Sequence, residues 1–175
     1  YLLSNTGVFE RNASIKLGFN RFDYGIEAYY SIYDNQLGIL RASHLGGAQD
    51  QVRAISSPTP LVINDFTYNL NEPRQDVTHH LGRIMAFKEL GKHGKLSFQY
   101  DYQQNNRLEY DIRRGDDRDK AALDLELITH TIQTNFENNK SNKIHIKSGI
   151  IGRYQKNYPN PKTGIRRLIP DYTKY

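Results

Sequence analysis

The sequence predicts an all-β protein built from about six antiparallel up-and-down strands. Three observations carry that prediction: long segments in which apolar and polar residues alternate, short polar turns at one end of those segments, and long proline-bearing loops at the other. Alternation with a period of two is the signature of a strand with one apolar face.

Each strand is justified in order. In 9–20, Ala13, Ile15, Leu17 and Phe19 alternate with Ser14, Lys16, Gly18 and Asn20. In 23–38, Ile26, Ala28, Tyr30 and Ile32 alternate with Glu27, Tyr29, Ser31 and Tyr33. Segment 74–90 is a strand by position, although Leu81, Ile84, Met85 and Phe87 fit neither face cleanly. Segment 95–112 is the clearest, with Leu96, Phe98, Tyr100 and Tyr102 against Ser97, Gln99, Asp101 and Gln103. Segment 122–137 opens on Leu123, Leu125 and Leu127 and slips by one near Ile128, which predicts a β-bulge or a shifted register. Segment 143–156 alternates Ile144, Ile146, Ser148, Ile150 and Gly152 with His145, Lys147, Gly149, Ile151 and Arg153. Tight turns are expected at 20–23, 91–94 and 138–142, and long loops at 39–73, 113–121 and 157–175, with a short helix inside 48–56.

Composition narrows the chemistry. Of 175 residues, 37% are apolar and the mean hydropathy is −0.75, while 13 Tyr and 7 Phe supply 20 large rings. No run approaches the ~18–20 apolar residues of a spanning helix. With no cysteine, disulfides, zinc–thiolate sites and Cys nucleophiles drop out. The chain opens on Tyr1 without a signal-peptide pattern and reads as mature or as cut from something longer.

Strand length and the placement of the rings decide what the apolar face touches. Segments of 12–18 residues exceed the usual ~5–6 of a globular strand and cover the ~9–11 of a tilted spanning strand. Phe19, Phe22, Tyr24, Phe87 and Phe136 lie toward the short turns, and Phe9, Tyr33, Tyr110, Tyr154 and Tyr158 toward the long loops. Two aromatic girdles with an aliphatic band between them suit the two water interfaces of a membrane barrel. The fold expected is therefore part of a large transmembrane β-barrel, with Lys16, Glu27, Asp101, Asp124, Glu126, Lys147 and Arg153 facing a wet lumen. The alternative is a soluble all-β module binding a ligand or glycan, with those charges turned to bulk water. A porin-like channel is a third.

Several stretches, in order, resemble the middle of the barrel of TonB-dependent outer-membrane receptors. They are Ile39-Leu40-Arg41-Ala42-Ser43-His44-Leu45-Gly46-Gly47, Thr78-His79-His80-Leu81, Tyr100-Asp101-Tyr102-Gln103-Gln104-Asn105-Asn106-Arg107, Ala122-Leu123-Asp124-Leu125, Thr129-His130-Thr131 and Leu168-Ile169-Pro170-Asp171-Tyr172. The resemblance spans nearly the whole chain. It implies a 22-stranded plugged barrel in the outer membrane of a Gram-negative cell. It also implies capture of a scarce solute such as an iron–siderophore, haem, cobalamin or a glycan, and import energised by a TonB-type coupling protein acting on the plug. Plug, coupling segment and closing strand fall outside the stretch, so it reads as a partial barrel without its plug domain. Expected partners are outer-membrane lipid and lipopolysaccharide, the plug, the coupling protein and a small-molecule or metal-chelate ligand.

No catalytic constellation, cofactor or metal site is expected. The six histidines fit no chelating spacing, and His79 and His80, being adjacent on a strand, point to opposite faces. Asp116, Asp117 and Asp119 are interleaved with Arg113, Arg114, Arg118 and Lys120, which describes a solvated mixed-charge tip. Asn12-Ala13-Ser14 matches a glycosylation sequon but lies in a strand. The basic excess sits in 156–175, where five cations face only Asp171. A nucleic-acid surface would instead line its cations along one face with stacking rings. The expected ligand contacts are the loop residues Arg41, His44, Arg166 and Arg167.

Overall fold

The computed structural model describes residues 3–41, 47–65, 67–112, 120–138, 144–159 and 172–174. One sheet contains every strand, in the order of the chain: β1 (Val8–Asn20), β2 (Tyr24–Gly38), β3 (Arg74–Glu89), β4 (Lys95–Tyr110), β5 (Leu123–Asn138), β6 (Ile146–Pro159) and β7 (Tyr172–Lys174). All neighbours pair antiparallel. The α-helix among the described residues, α1 (Ala48–Ser56), lies where the sequence placed a short helix. No helix among the described residues is long and apolar enough to cross a membrane, which says nothing of strands.

Six of the seven strands match the expected segments closely. Two readings change. β5 pairs with β4 and β6 in one unbroken register, from Leu123 opposite Glu109 to Glu137 opposite Lys95, so there is no bulge near Ile128. What slips is the composition: Leu123, Leu125 and Leu127 sit on the polar face, and Ile128, Ile132 and Phe136 carry the apolar one. The last strand is the other change, since β6 runs to Pro159 and β7 occupies part of the expected 157–175 loop.

The turns are built by local chemistry. Leu90–Gly94 closes β3 to β4 through a 3₁₀ turn at Gly91–His93, with Leu90 N–H donating to the Gly94 carbonyl at 2.7 Å. Gly94 has φ +118, and a Cβ there would lie 2.3 Å from the Glu137 carbonyl oxygen, so only glycine fits. At the β1–β2 turn, Lys88 Nζ donates to Asp23 at 2.7 Å and holds that carboxyl below the usual carboxylate range.

The sheet is a single layer and open. Among the described residues, substantial contacts between strands run only between sheet neighbours. Among apolar residues only Ala122 is buried in the described chain, apart from the fully enclosed Pro73. The accessible surface is 12966 Å². A compact monomer of 20.3 kDa exposes about 8,800 Å². Apolar side chains therefore fail to bury one another: Ile150 is 80% exposed and Leu17 67%.

Candidate functional site: two faces of one sheet

Residues directly opposed across antiparallel strands share a face, so the register assigns every side chain. One face carries the odd residues of β1 and the even residues of β2 to β6. Its rows read Phe19–Ile26–Ala86–Phe98–Thr134–Ile150, then Leu17–Ala28–Ile84–Tyr100–Ile132–Gly152, then Ile15–Tyr30–Gly82–Tyr102–His130–Tyr154. With the bordering rows at Tyr24–Lys88–Leu96–Phe136 and Ala13–Ile32–His80, the apolar band runs from Tyr24 to Ile32 along β2. At ~3.4 Å per residue that is about 27 Å along the strand, or about 20 Å along the normal of a sheet tilted by ~40°. Above the band the same face turns polar, with Arg11 paired to Asp34, and Thr78 Oγ1 donating to Asp34 Oδ1 at 3.4 Å.

The rings edge this band differently from the expected girdles. Phe19, Tyr24, Phe98 and Phe136 form the edge near the short turns, whereas Phe87 lies on the opposite face, directly across from Gly25. Its ring covers that glycine; a Cβ at Gly25 would come within 2.5 Å of it. The edge near the long loops is Tyr30, Tyr102 and Tyr154, with the Tyr100 hydroxyl reaching up to it from the middle row. Phe9, Tyr110 and Tyr158 stand above it among polar neighbours, and Tyr33 lies on the polar face. Tyr30 and Tyr100 pair with histidines: Tyr30 Oη lies 2.7 Å from His80 Nδ1, and Tyr100 Oη 2.8 Å from His130 Nδ1.

The other face is a field of ion pairs. Lys16 meets Glu27 at 2.8 Å, and Lys147 meets Glu137 at 3.0 Å. Asp101, only 6% exposed, accepts from Arg83 Nε at 2.5 Å and Gln99 Nε2 at 2.6 Å. Arg153 faces the same side, opposite Thr131, without a partner among the described residues. Near the short turns this face holds a depression of about 400 Å³ lined by Glu27, Phe87, Lys95, Ser97, Asn135 and Glu137.

Of the seven charges expected on one polar face, Lys16, Glu27, Asp101, Lys147 and Arg153 share it. Asp124 and Glu126 do not. They lie on the opposite face, above the apolar band, because β5 keeps register through Ile128; Gln104 Nε2 donates to Glu126 there. Of the expected ligand contacts, His44, Arg166 and Arg167 lie outside the described residues, as does most of the 113–121 tip. Arg41 is described, and its Nη1 donates to the Glu72 carbonyl at 3.1 Å, at the base of the 39–73 loop.

Sequence reading missed the residue that ties that base together. Asn5, at φ 59, donates from Nδ2 to the carbonyls of Ile39 and Pro73 at 2.9 and 2.8 Å, and its Oδ1 accepts from Asn71 N–H at 2.9 Å. Asparagine tolerates this left-handed backbone better than most residues do. Asn5→Ala removes three bonds of about 1 kcal/mol each and adds backbone strain. Limited proteolysis is expected to cut 47–65 about tenfold faster in that variant, with the β3–β5 amides keeping their hydrogen-exchange protection. Uniform loss of protection would mean that Asn5 supports the whole sheet.

Among the described residues, no group of three His, Asp or Glu gathers to hold a metal ion. Comparison with protein-family models, with curated proteins and with solved structures finds no match for this chain. The class the geometry defines is thus an all-β, up-and-down antiparallel sheet with one apolar and one ion-paired face.

Proposed function

We propose that this chain is a section of a large outer-membrane β-barrel, of the TonB-dependent receptor kind, whose apolar face meets lipid and whose ion-paired face lines the lumen. The observation that carries the reading is the exposed apolar band, about 20 Å deep and edged by rings, on a sheet whose other face is mostly polar and carries the ion pairs Lys16–Glu27, Arg83–Asp101 and Lys147–Glu137. A soluble protein seldom exposes a contiguous apolar patch above ~600 Å². The open β1 edge supports it too, because an unpaired edge is a liability that barrel closure removes. Assignment to the receptor family rests on the sequence resemblance. In that setting the upper strands and long loops receive a scarce solute such as an iron–siderophore, haem, cobalamin or glycan. Lumenal charges hydrogen-bond a plug that the TonB-type coupling protein pulls, and no bond-making chemistry is involved.

The absence of native cysteine makes single-cysteine topology mapping clean. In Gram-negative cells, Ser57→Cys in the long loop is expected to react with an impermeant maleimide on intact cells. His93→Cys in the short turn is expected to react only after the outer membrane is permeabilised. Recovery of the protein in the soluble fraction, or equal labelling of both sites on intact cells, would overturn the proposal and favour the soluble module.

A further inference from the structure

We propose that His130 and the side chains around it form a docking site for the phosphate-bearing headgroup of an outer-leaflet lipid. This deepens the reading above and rests on its lipid-facing assignment. His130 stands in a ring of tyrosines, its centroid 6.1 Å from Tyr100, 5.3 Å from Tyr102 and 6.2 Å from Tyr154. Tyr102, His130 and Tyr154 are directly opposed across β4, β5 and β6, one row below the upper border of the apolar band. One level further up, Lys156 lies opposite Ile128 on the same face, with its Nζ 4.2 Å from the centre of the Tyr158 ring.

The chemistry of this patch is that of an anion site. When His130 Nδ1 accepts from the Tyr100 hydroxyl, the ring proton sits on Nε2, which becomes a donor. Tyr154 offers a second hydroxyl with no partner among the described residues, and Lys156 a cation. Among the described residues, neither this row nor the next one up contains an acidic residue. The first carboxylate above, Glu126, already accepts from Gln104. Height selects the source of the anion: a donor cluster at the border of an apolar band meets phosphate where acyl chains give way to headgroups. The Tyr30–His80 pair, on β2 and β3 at the same height, shares its upper row with Lys156 but stands three strands away from it, and it serves as an internal comparison.

The test uses the whole chain with phosphatidylcholine vesicles, with and without about one-fifth phosphatidic acid. Flotation comes first. If the chain does not float with pure phosphatidylcholine, the lipid-facing reading falls and this inference falls with it. For a chain that floats, phosphatidic acid retained after detergent extraction is counted by mass spectrometry, and the His130 ring resonances are followed. Wild type is expected to retain phosphatidic acid, with loss of about tenfold in His130→Gln and in Lys156→Gln and little change in His80→Gln. Flotation and circular dichroism of each variant confirm that it is folded. Equal retention by wild type and both variants would overturn the site. So would millimolar inorganic phosphate moving the His130 resonances as far as the lipid does, since that identifies a soluble anion as the ligand.

Discussion

Arginine in place of Ile84 is expected to destabilise the bilayer-inserted protein by about 2–4 kcal/mol, the cost of a cation at mid-depth on the lipid face of a barrel. Ile84 sits in the middle row of the apolar band on β3, flanked by Ala28 and Tyr100, and is 47% exposed in the isolated sheet. Nothing in the sheet covers it, so the cost comes from lipid alone. Ile151→Arg is the matched control: that isoleucine is also exposed, but it lies on the polar face opposite Gln133. Its replacement is expected to stay within about 0.5 kcal/mol, as for an ordinary wet surface position. Denaturant titration of the protein folded into vesicles reads both. Equal and small effects at the two sites would contradict lipid contact, because in water both variants exchange one exposed side chain for another.

Strand existence, the tight turns at 20–23 and 91–94, and helix α1 were legible because period-two alternation and turn chemistry are local signals; the turn expected at 138–142 lies, but for Asn138, outside the described residues. Residue-level orientation was legible only where alternation was clean. β4 shows this: Leu96 to Tyr102 on one face and Ser97 to Gln103 on the other follow directly from spacing. β3 shows the limit, since Leu81, Met85 and Phe87 are apolar yet lie on the charged face, where Phe87 covers Gly25. β5 misled in the same way. Leu123, Leu125 and Leu127 lie above the apolar band, where neither face is bound to be apolar, so their spacing carries no orientation signal. That is why Asp124 and Glu126 part from the other five charges expected with them. Asn5 gave no signal at all: its partners Ile39, Asn71 and Pro73 are 34 to 68 residues away. The partners of the polar-face charges were hidden likewise. Lys147–Glu137 and Arg83–Asp101 are cross-strand pairs, which need the register before they can be named.

Breaking the Arg83–Asp101 pair is expected to have the second largest effect, and an unequal one. The Asp101 carboxylate is nearly enclosed, with Arg83 and Gln99 as its donors, while Arg83 keeps two-fifths of its side chain in water. Arg83→Ala therefore strands an ionised group that has only Gln99 left, at a cost of about 2–3 kcal/mol. Asp101→Ala releases an arginine that water already reaches, at about 1 kcal/mol. The double variant should cost less than the sum, with a coupling of about 1–2 kcal/mol, reduced from the fully buried range because one partner is half exposed. The exposed Lys88–Asp23 pair at the β1–β2 turn is the reference, and its coupling should fall below about 0.5 kcal/mol. Double-mutant cycles on denaturant midpoints measure both. Equal costs for Arg83→Ala and Asp101→Ala would mean that the carboxylate finds other donors on the polar face. A coupling no larger than that of Lys88–Asp23 would mean that the centre of this face is as wet as the turn, leaving Asp101 no more fixed as a lumenal charge than a surface residue.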